Sequence, residues 1–219
     1  MRLVWGICSI LIGLVFILYP QIEKVALDAE QKALIEAFEG LGTINDAMES
    51  TLPQLPQLND QQQLNYPPQQ QEFSHADELA LLDGVKGVIR IPKIDAALPI
   101  FDGAGEASLR KGVGIIESEK EFGVHNVGLA GHRAIAYGKQ FNRLDELMPD
   151  DEIEVQTRTH IYQFTVVQSF VVDRTEVGVL ADQEEPLITL VTCTPIGVEN
   201  PTDRLIIQAR LSQKTALTP

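Results

Sequence analysis

From Gly84 onward the apolar positions come in short alternating runs. Val85–Ile91 (VKGVIRI) runs into Pro92, and Ala97–Phe101 (ALPIF) stops at Asp102-Gly103. Asn126–Ala130 leads into Gly131-His132-Arg133, and Glu152–Thr157 places Ile153 and Val155 on one face. In His160–Val172 the residues Tyr162, Phe164, Val166, Phe170 and Val172 share a face, interrupted by Gln168. Leu187–Thr192 is apolar on both faces, the pattern of a central strand. In Arg204–Leu211, Leu205, Ile207, Ala209 and Leu211 point one way, while Arg204, Ile206, Gln208 and Arg210 point the other. Short helices fit Glu106–Lys111 and Lys139–Leu147. Seven or eight short strands with turn signals between them predict one all-β barrel or sandwich over residues 84–219.

Upstream the pattern changes twice. Leu3 to Tyr19 (LVWGICSILIGLVFILY) is 17 residues without a charge, a helix of roughly 26 Å, close to a bilayer core. Trp5 and Tyr19 flank it as interfacial rings do. No small-x-small cleavage site follows, so residues 1–20 read as an uncleaved anchor rather than a signal peptide. Arg2 and the α-amino group precede the run, which predicts a cytoplasmic N-terminus and everything else outside the cell membrane. Residues 21–83 then read as a stalk. Leu27, Leu34, Ile35 and Phe38 recur at helical spacing up to the Gly40 and Gly42 stop signals. Residues 53–71 hold 8 Gln and 4 Pro, too polar to bury a core.

Charge excludes one class of function. The 219 residues carry 17 basic and 31 acidic side chains, a formal charge of −14, so no electrostatic footprint for nucleic acid exists. Of the two cysteines, Cys8 falls inside the apolar span and Cys193 outside the membrane, so the two cannot pair within the chain. They supply no disulfide framework and no four-thiolate zinc site, and no cofactor is expected. Cys8, inside the apolar run, reads as a small apolar residue, with palmitoylation the alternative.

Three segments carry candidate chemistry: Leu129-Ala130-Gly131-His132-Arg133, Thr189-Leu190-Val191-Thr192-Cys193-Thr194-Pro195, and Asp203-Arg204-Leu205. A thiol becomes a nucleophile as thiolate and wants an imidazolium or another positive charge nearby. An oxyanion wants a fixed donor, which a guanidinium supplies. His132, Cys193 and Arg204 each fall at a predicted strand end. Strand ends at a barrel rim can meet although 61 and 11 positions separate these three residues in sequence.

Together they resemble the sortase family, the membrane-anchored cysteine transpeptidases of Gram-positive bacteria. The family's TLxTC motif stands as Thr189-Leu190-Val191-Thr192-Cys193, and the Gly131-His132 turn and Arg204 complete its chain order. Ile91-Pro92-Lys93-Ile94, Leu98-Pro99-Ile100, Leu109-Arg110-Lys111-Gly112-Val113-Gly114 and Ala130-Gly131-His132-Arg133 look most like the class D members. The resemblance implies an eight-stranded β-barrel. It implies that Cys193 attacks the Thr–X bond of an LPxTx-like sorting signal and forms a thioester. His132 then serves as acid and base, and Arg204 holds the oxyanion or the substrate backbone. Thr192 and Thr194, flanking the thiol, are expected at the bound substrate. The acceptor is an amine of the peptidoglycan precursor or cell wall, so surface proteins become attached. The loop Asp173–Pro186 is expected to flank the groove, and its Asp182, Glu184 and Glu185 either bind a cation, as in some family members, or form an ordinary solvated acidic loop.

Two rival readings stand beside this one. An L,D-transpeptidase-like wall cross-linker would need a Ser-His-Gly context that Thr192-Cys193-Thr194-Pro195 does not supply. A non-catalytic anchored binding module on the same barrel would not need all three catalytic residue types.

Overall fold

The computed structural model describes residues 29–40, 84–133, 140–198 and 200–217. The expected apolar span Leu3–Tyr19 and the Gln/Pro-rich 53–71 lie outside them. No described helix is long and apolar enough to cross a membrane.

Eight strands close into a barrel in the order β1-β2-β3-β4-β7-β8-β6-β5. They are β1 (Val85–Ile91), β2 (Ala96–Asp102), β3 (Val113–Ile115), β4 (Asn126–Ala130), β5 (Glu152–Thr157), β6 (His160–Asp173), β7 (Leu187–Thr194) and β8 (Asp203–Ala216). Closure leaves no free sheet edge. Most pairs are antiparallel, but β2–β3 and β4–β7 run parallel. The parallel pairing of β4 with β7 matters most, because both strands then end at the same rim.

Alternation sorts the side chains between interior and exterior. Ile89, Ile91, Leu98, Ile100, Leu129, Ile153, Val155, Phe164, Ile188, Leu190, Ile207 and Ala209 belong to one buried cluster inside the barrel. Along β6 the even-numbered face stays buried at Tyr162, Phe164 and Val166 and then emerges. The register with β8 shifts between Val166 and Gln168, and Gln168 Nε2 donates to Gln208 Oε1 at 2.6 Å. The polar interruption in the pattern is a β-bulge.

Residues 29–40 form a helix, α1, and Glu106–Lys111 forms a second, α2. The α1 helix sits against the outside of the barrel. Its Leu34, Ala37 and Phe38 pack on Val85, Val88 and Phe101, the outward-facing apolar residues of β1 and β2. Ion pairs flank this contact. Glu30 meets Lys111 of α2 at 2.9 Å, and Glu39 meets Arg90, which also holds Glu154 at 3.0 Å.

Two expectations change in detail. Lys139–Leu147 is not a helix where it is described: turns at 140–143 lead into a single 3₁₀ turn, Leu144–Glu146. Phe141, Leu144 and Leu147 are all buried, and a spacing of three suits the 3₁₀ rise better than the α-helical one. Strand β8 continues past Leu211 to Ala216, pairing polar Gln213, Lys214 and Thr215 with β6. Those exposed residues carry no apolar signal, so the extension is silent in the sequence.

Candidate active site

The rim where β4, β7 and β8 end gathers the three candidate residues. In the parallel pair, Ala130 lies opposite Val191. The pairing continues past the strand end: Gly131 N–H donates to Val191 O at 3.1 Å. Thr192 Oγ1 donates back to Gly131 O at 2.8 Å. These two bonds carry His132 toward the level of Cys193. Gly131 is required sterically, because a Cβ there would lie 2.6 Å from the buried Phe141 ring. Phe141 in turn donates its N–H to His132 O at 3.1 Å, closing the turn.

Across the antiparallel β7–β8 pair, Cys193 lies directly opposite Arg204. Directly opposed residues share a face, with Cβ atoms about 5 Å apart. Leu190 and Ile207 face the barrel interior, so by alternation Cys193 and Arg204 face out. Cys193 is a free thiol of intermediate exposure. Arg204 Nη1 donates to Pro201 O and Asp203 O at 2.8 and 2.9 Å. Both bonds use one nitrogen, and they hold the guanidinium over the strand end instead of letting it sweep through solvent. His132 is 42% exposed, and its Nε2 lies 3.9 Å from Glu106 Oε2 at the start of α2. A thiol and a guanidinium therefore share one outward face of the sheet, and the turn after β4 places an imidazole at the same rim. That set can attack a carbonyl, shuttle a proton and neutralise an oxyanion.

The threonines that flank the thiol point the other way. Thr192 is 2% exposed, and its hydroxyl is taken by Gly131. Thr194 Oγ1 accepts from Arg133 Nη1 at 2.8 Å. His125 and His160 bond locally, to Glu121 N–H and Thr159 Oγ1, and His75 lies outside the described residues.

The sequence pattern did not single out the network beneath the β6–β7 loop. Thr189 Oγ1 donates to Asn126 Oδ1 at 2.7 Å, and both residues are fully buried. Asn126 Nδ2 donates to Val179 O and Ala181 O, and Gln208 Nε2 also reaches Val179 O. Asn126 and Gln208 on the outer face thus capture the loop backbone at Val179 and Ala181, in and just after the 3₁₀ turn Val177–Leu180, while Thr189 steadies Asn126. Gly128 admits this turn, since a Cβ there would lie 2.7 Å from Leu180. Ile206 and Gln208 do face away from the barrel interior, yet they are 1% and 7% exposed. A loop remote in sequence covers that face, and strand periodicity cannot signal such a cover.

A lysine braces the same loop. Lys120 Nζ contacts Glu117 Oε2 at 2.8 Å and Asp182 Oδ1 at 3.5 Å, and donates to Leu180 O. The Asn126 N–H bond to Asp182, aided by Lys120, holds this carboxyl below its ordinary range despite partial burial. Burial pulls the Lys120 pKa down, but Glu117 and Asp182 outweigh it and the net direction is up. Asp182 is thus engaged by an amide and an ammonium, and Glu185 pairs with Arg210 at 3.2 Å. Among the described residues no group of three or more His, Cys, Asp or Glu could hold a metal ion.

Comparison with known proteins points to one family. The sortase-domain family model matches residues 89–212. Sortase A of Listeria monocytogenes is 32% identical over 111 residues, 51% of this chain and 50% of that protein. Sortase D of Bacillus subtilis is 31% identical over 129 residues, 57% of this chain and 62% of that protein. The chain therefore spans about half to three-fifths of these curated relatives' lengths. The crystal structure of Listeria monocytogenes sortase A superposes with a TM-score of 0.59 at 29% identity, covering 62% of this chain and 92% of that one.

Proposed function

Because the chain belongs to the sortase family, we propose that it is a cysteine transpeptidase that attaches surface proteins to the cell wall. The observation that supports this most directly is the register: Cys193 opposite Arg204, with parallel β4 delivering His132 to the same rim.

In this reading the Cys193 thiolate attacks the Thr carbonyl carbon of an LPxTx-like signal. The carbonyl electrons move to oxygen, and an Arg204 N–H stabilises the oxyanion. As the oxyanion collapses, the Thr–X bond breaks and His132 gives its proton to the leaving amine. The thioester then meets a cell-wall or peptidoglycan-precursor amine, whose proton passes to His132. The C–S bond breaks, a new amide forms, and the Cys193 thiolate and protonated His132 are restored. Thr192 and Thr194 take a supporting part: they tie β7 to the turn that carries His132 and leave the groove to outward-facing side chains.

The chain is read as single-pass, anchored by residues 3–19, with the N-terminus cytoplasmic and residues 84–219 outside. The class D assignment rests on the four short motifs quoted above.

The test is a quenched LPxTx-type peptide with an added amine. The wild-type protein cleaves the peptide and joins the amine, and hydroxylamine intercepts the thioester. Cys193→Ala should lose this by on the order of 10⁴-fold or more, as nucleophile removal does in serine enzymes. Turnover surviving in Cys193→Ala would overturn the assignment.

A further inference from the structure

The residue after His132 and the residue after Cys193 are bonded to each other, and the reaction as written uses neither. Arg133 Nη1 donates to Thr194 Oγ1 at 2.8 Å. Arg133 Nη2 pairs with Asp145 Oδ1 at 2.9 Å, and its side chain is only 8% exposed. Asp145 belongs to the 3₁₀ turn Leu144–Glu146, where Leu144 is fully buried in the core. One guanidinium therefore joins three pieces of chain: the turn that follows β4, the end of β7, and a turn fixed to the barrel.

We propose that Arg133 is a positioning residue that sets the His132–Cys193 geometry by clamping the chain after each of them. Its planar fork suits the task, because two donors on one rigid group fix an angle as well as a distance. A surface arginine would point into solvent; this one is buried beside the site and engaged on two sides. Without the clamp, the His132 side of the rim keeps its tie to β7 through Gly131 and Thr192. The chain beyond it, however, loses the Arg133–Thr194 bond to the strand that carries the thiol. Misplacement of an acid–base group by about 1 Å costs on the order of a hundredfold in rate, so partial loosening should read as a tenfold effect.

The inference rests on the transpeptidase reading, and the test separates the two. The variants are Arg133→Lys, which keeps the charge but loses the fork, and Thr194→Val, which removes the acceptor and leaves Arg133 in place. Three quantities are measured on the full chain: kcat and KM with the LPxTx-type peptide and amine, the pH dependence of Cys193 alkylation by iodoacetamide, and the thermal midpoint. Alkylation needs no peptide, so it reports thiol–imidazole geometry even if the peptide is the wrong substrate. The charged group beside His132 is Glu106 at the start of α2, 3.9 Å from Nε2, and Arg204 lies opposite Cys193 in the sheet register. Supporting results are a kcat about tenfold lower with KM within twofold, and a displaced alkylation profile, in both variants. A lower thermal midpoint with unchanged kcat and an unchanged profile would make Arg133 purely structural and overturn the proposal. A rise in KM alone for Thr194→Val would also overturn it, by making Thr194 a substrate contact. A wild-type protein inert to every such peptide would sink the transpeptidase reading, and the alkylation profile would still judge the clamp.

Discussion

Two patches on the outside of the barrel are covered by other parts of the chain, and they are built differently. Over β1 and β2, Leu34, Ala37 and Phe38 of α1 lie on Val85, Val88 and Phe101. Over β4, β7 and β8, the β6–β7 loop is captured by hydrogen bonds from Asn126 and Gln208 to its backbone, with Thr189 bonded to Asn126 behind them. The first contact is apolar and non-directional; it stabilises whatever orientation fills the space. The second is directional and fixes a loop at the edge of an open face with Cys193 and Arg204. Loss of packing should therefore lower stability and spare the chemistry, while loss of a placed polar group should do the reverse.

Arg204 gives the largest contrast. Arg204→Ala should lower kcat/KM by about 10²–10³-fold, the usual cost of one oxyanion donor. Arg204→Lys should recover only part of this, since a point charge replaces a planar fork. The side chain's two bonds to Pro201 O and Asp203 O limit the stability loss to about 1 kcal/mol. Steady-state kinetics beside a urea melt checks both halves. Near-normal turnover in Arg204→Ala would break the contrast on the chemical side.

The opposite case is Phe38, which is 4% exposed beneath α1. Phe38→Ala should cost about 3 kcal/mol, the lower end for a buried phenylalanine, because one wall of its site is a single helix. At temperatures below the transition, kcat/KM should stay within twofold. A chain beginning at His75 keeps every candidate catalytic residue but uncovers Val85, Val88 and Phe101. It should melt earlier and bind a hydrophobic dye that the full chain does not. An unchanged urea midpoint for Phe38→Ala would show that α1 contributes no packing energy, and the contrast would fail there.

Legibility in the sequence follows the same division. Seven of the eight strands were readable from their interior face: β4 and β5 match the pattern residue for residue, and β6 and β7 extend it only at their C-terminal ends, whereas the three-residue β3, though buried in the core, is too short to alternate visibly. Leu34 and Phe38 announced α1, but its docking partner did not show, since Val88 and Phe101 look like ordinary strand residues. The site was readable through His132, Cys193 and Arg204 because their chemistry is rare in combination. Asn126, Gln208 and Lys120 were not, because each acts on a loop distant in sequence, and strand alternation does not show what covers an outer face. Arg133 was printed in the motif, but only the structure shows what it holds.

Lys120 lies between the two cases, a charge used as a structural brace, and should give the smallest effect. Its side chain is 12% exposed and joins Glu117, Leu180 O and Asp182. Lys120→Met keeps the stem and removes the donor, which should cost about 1–2 kcal/mol. It should also raise KM several-fold through a looser β6–β7 loop, with kcat unchanged because no reacting group moves. The pH dependence follows from the directions of the two shifts. The Asp182 pKa is lowered in the fold, so its contribution is complete above the ordinary carboxylate value of about 4 and disappears as pH falls through the depressed one. The Lys120 pKa is raised, so its contribution is complete below about 10 and is lost only above that. The brace is therefore whole across the neutral range. Hydrogen exchange in residues 177–182 of the wild-type protein should show a flat opening free energy from pH 5 to 9 and weakening only in stronger acid, whereas Lys120→Met should open more readily at every pH in that range. Identical exchange in the two proteins would mean that the Asn126, Thr189 and Gln208 network holds the loop unaided.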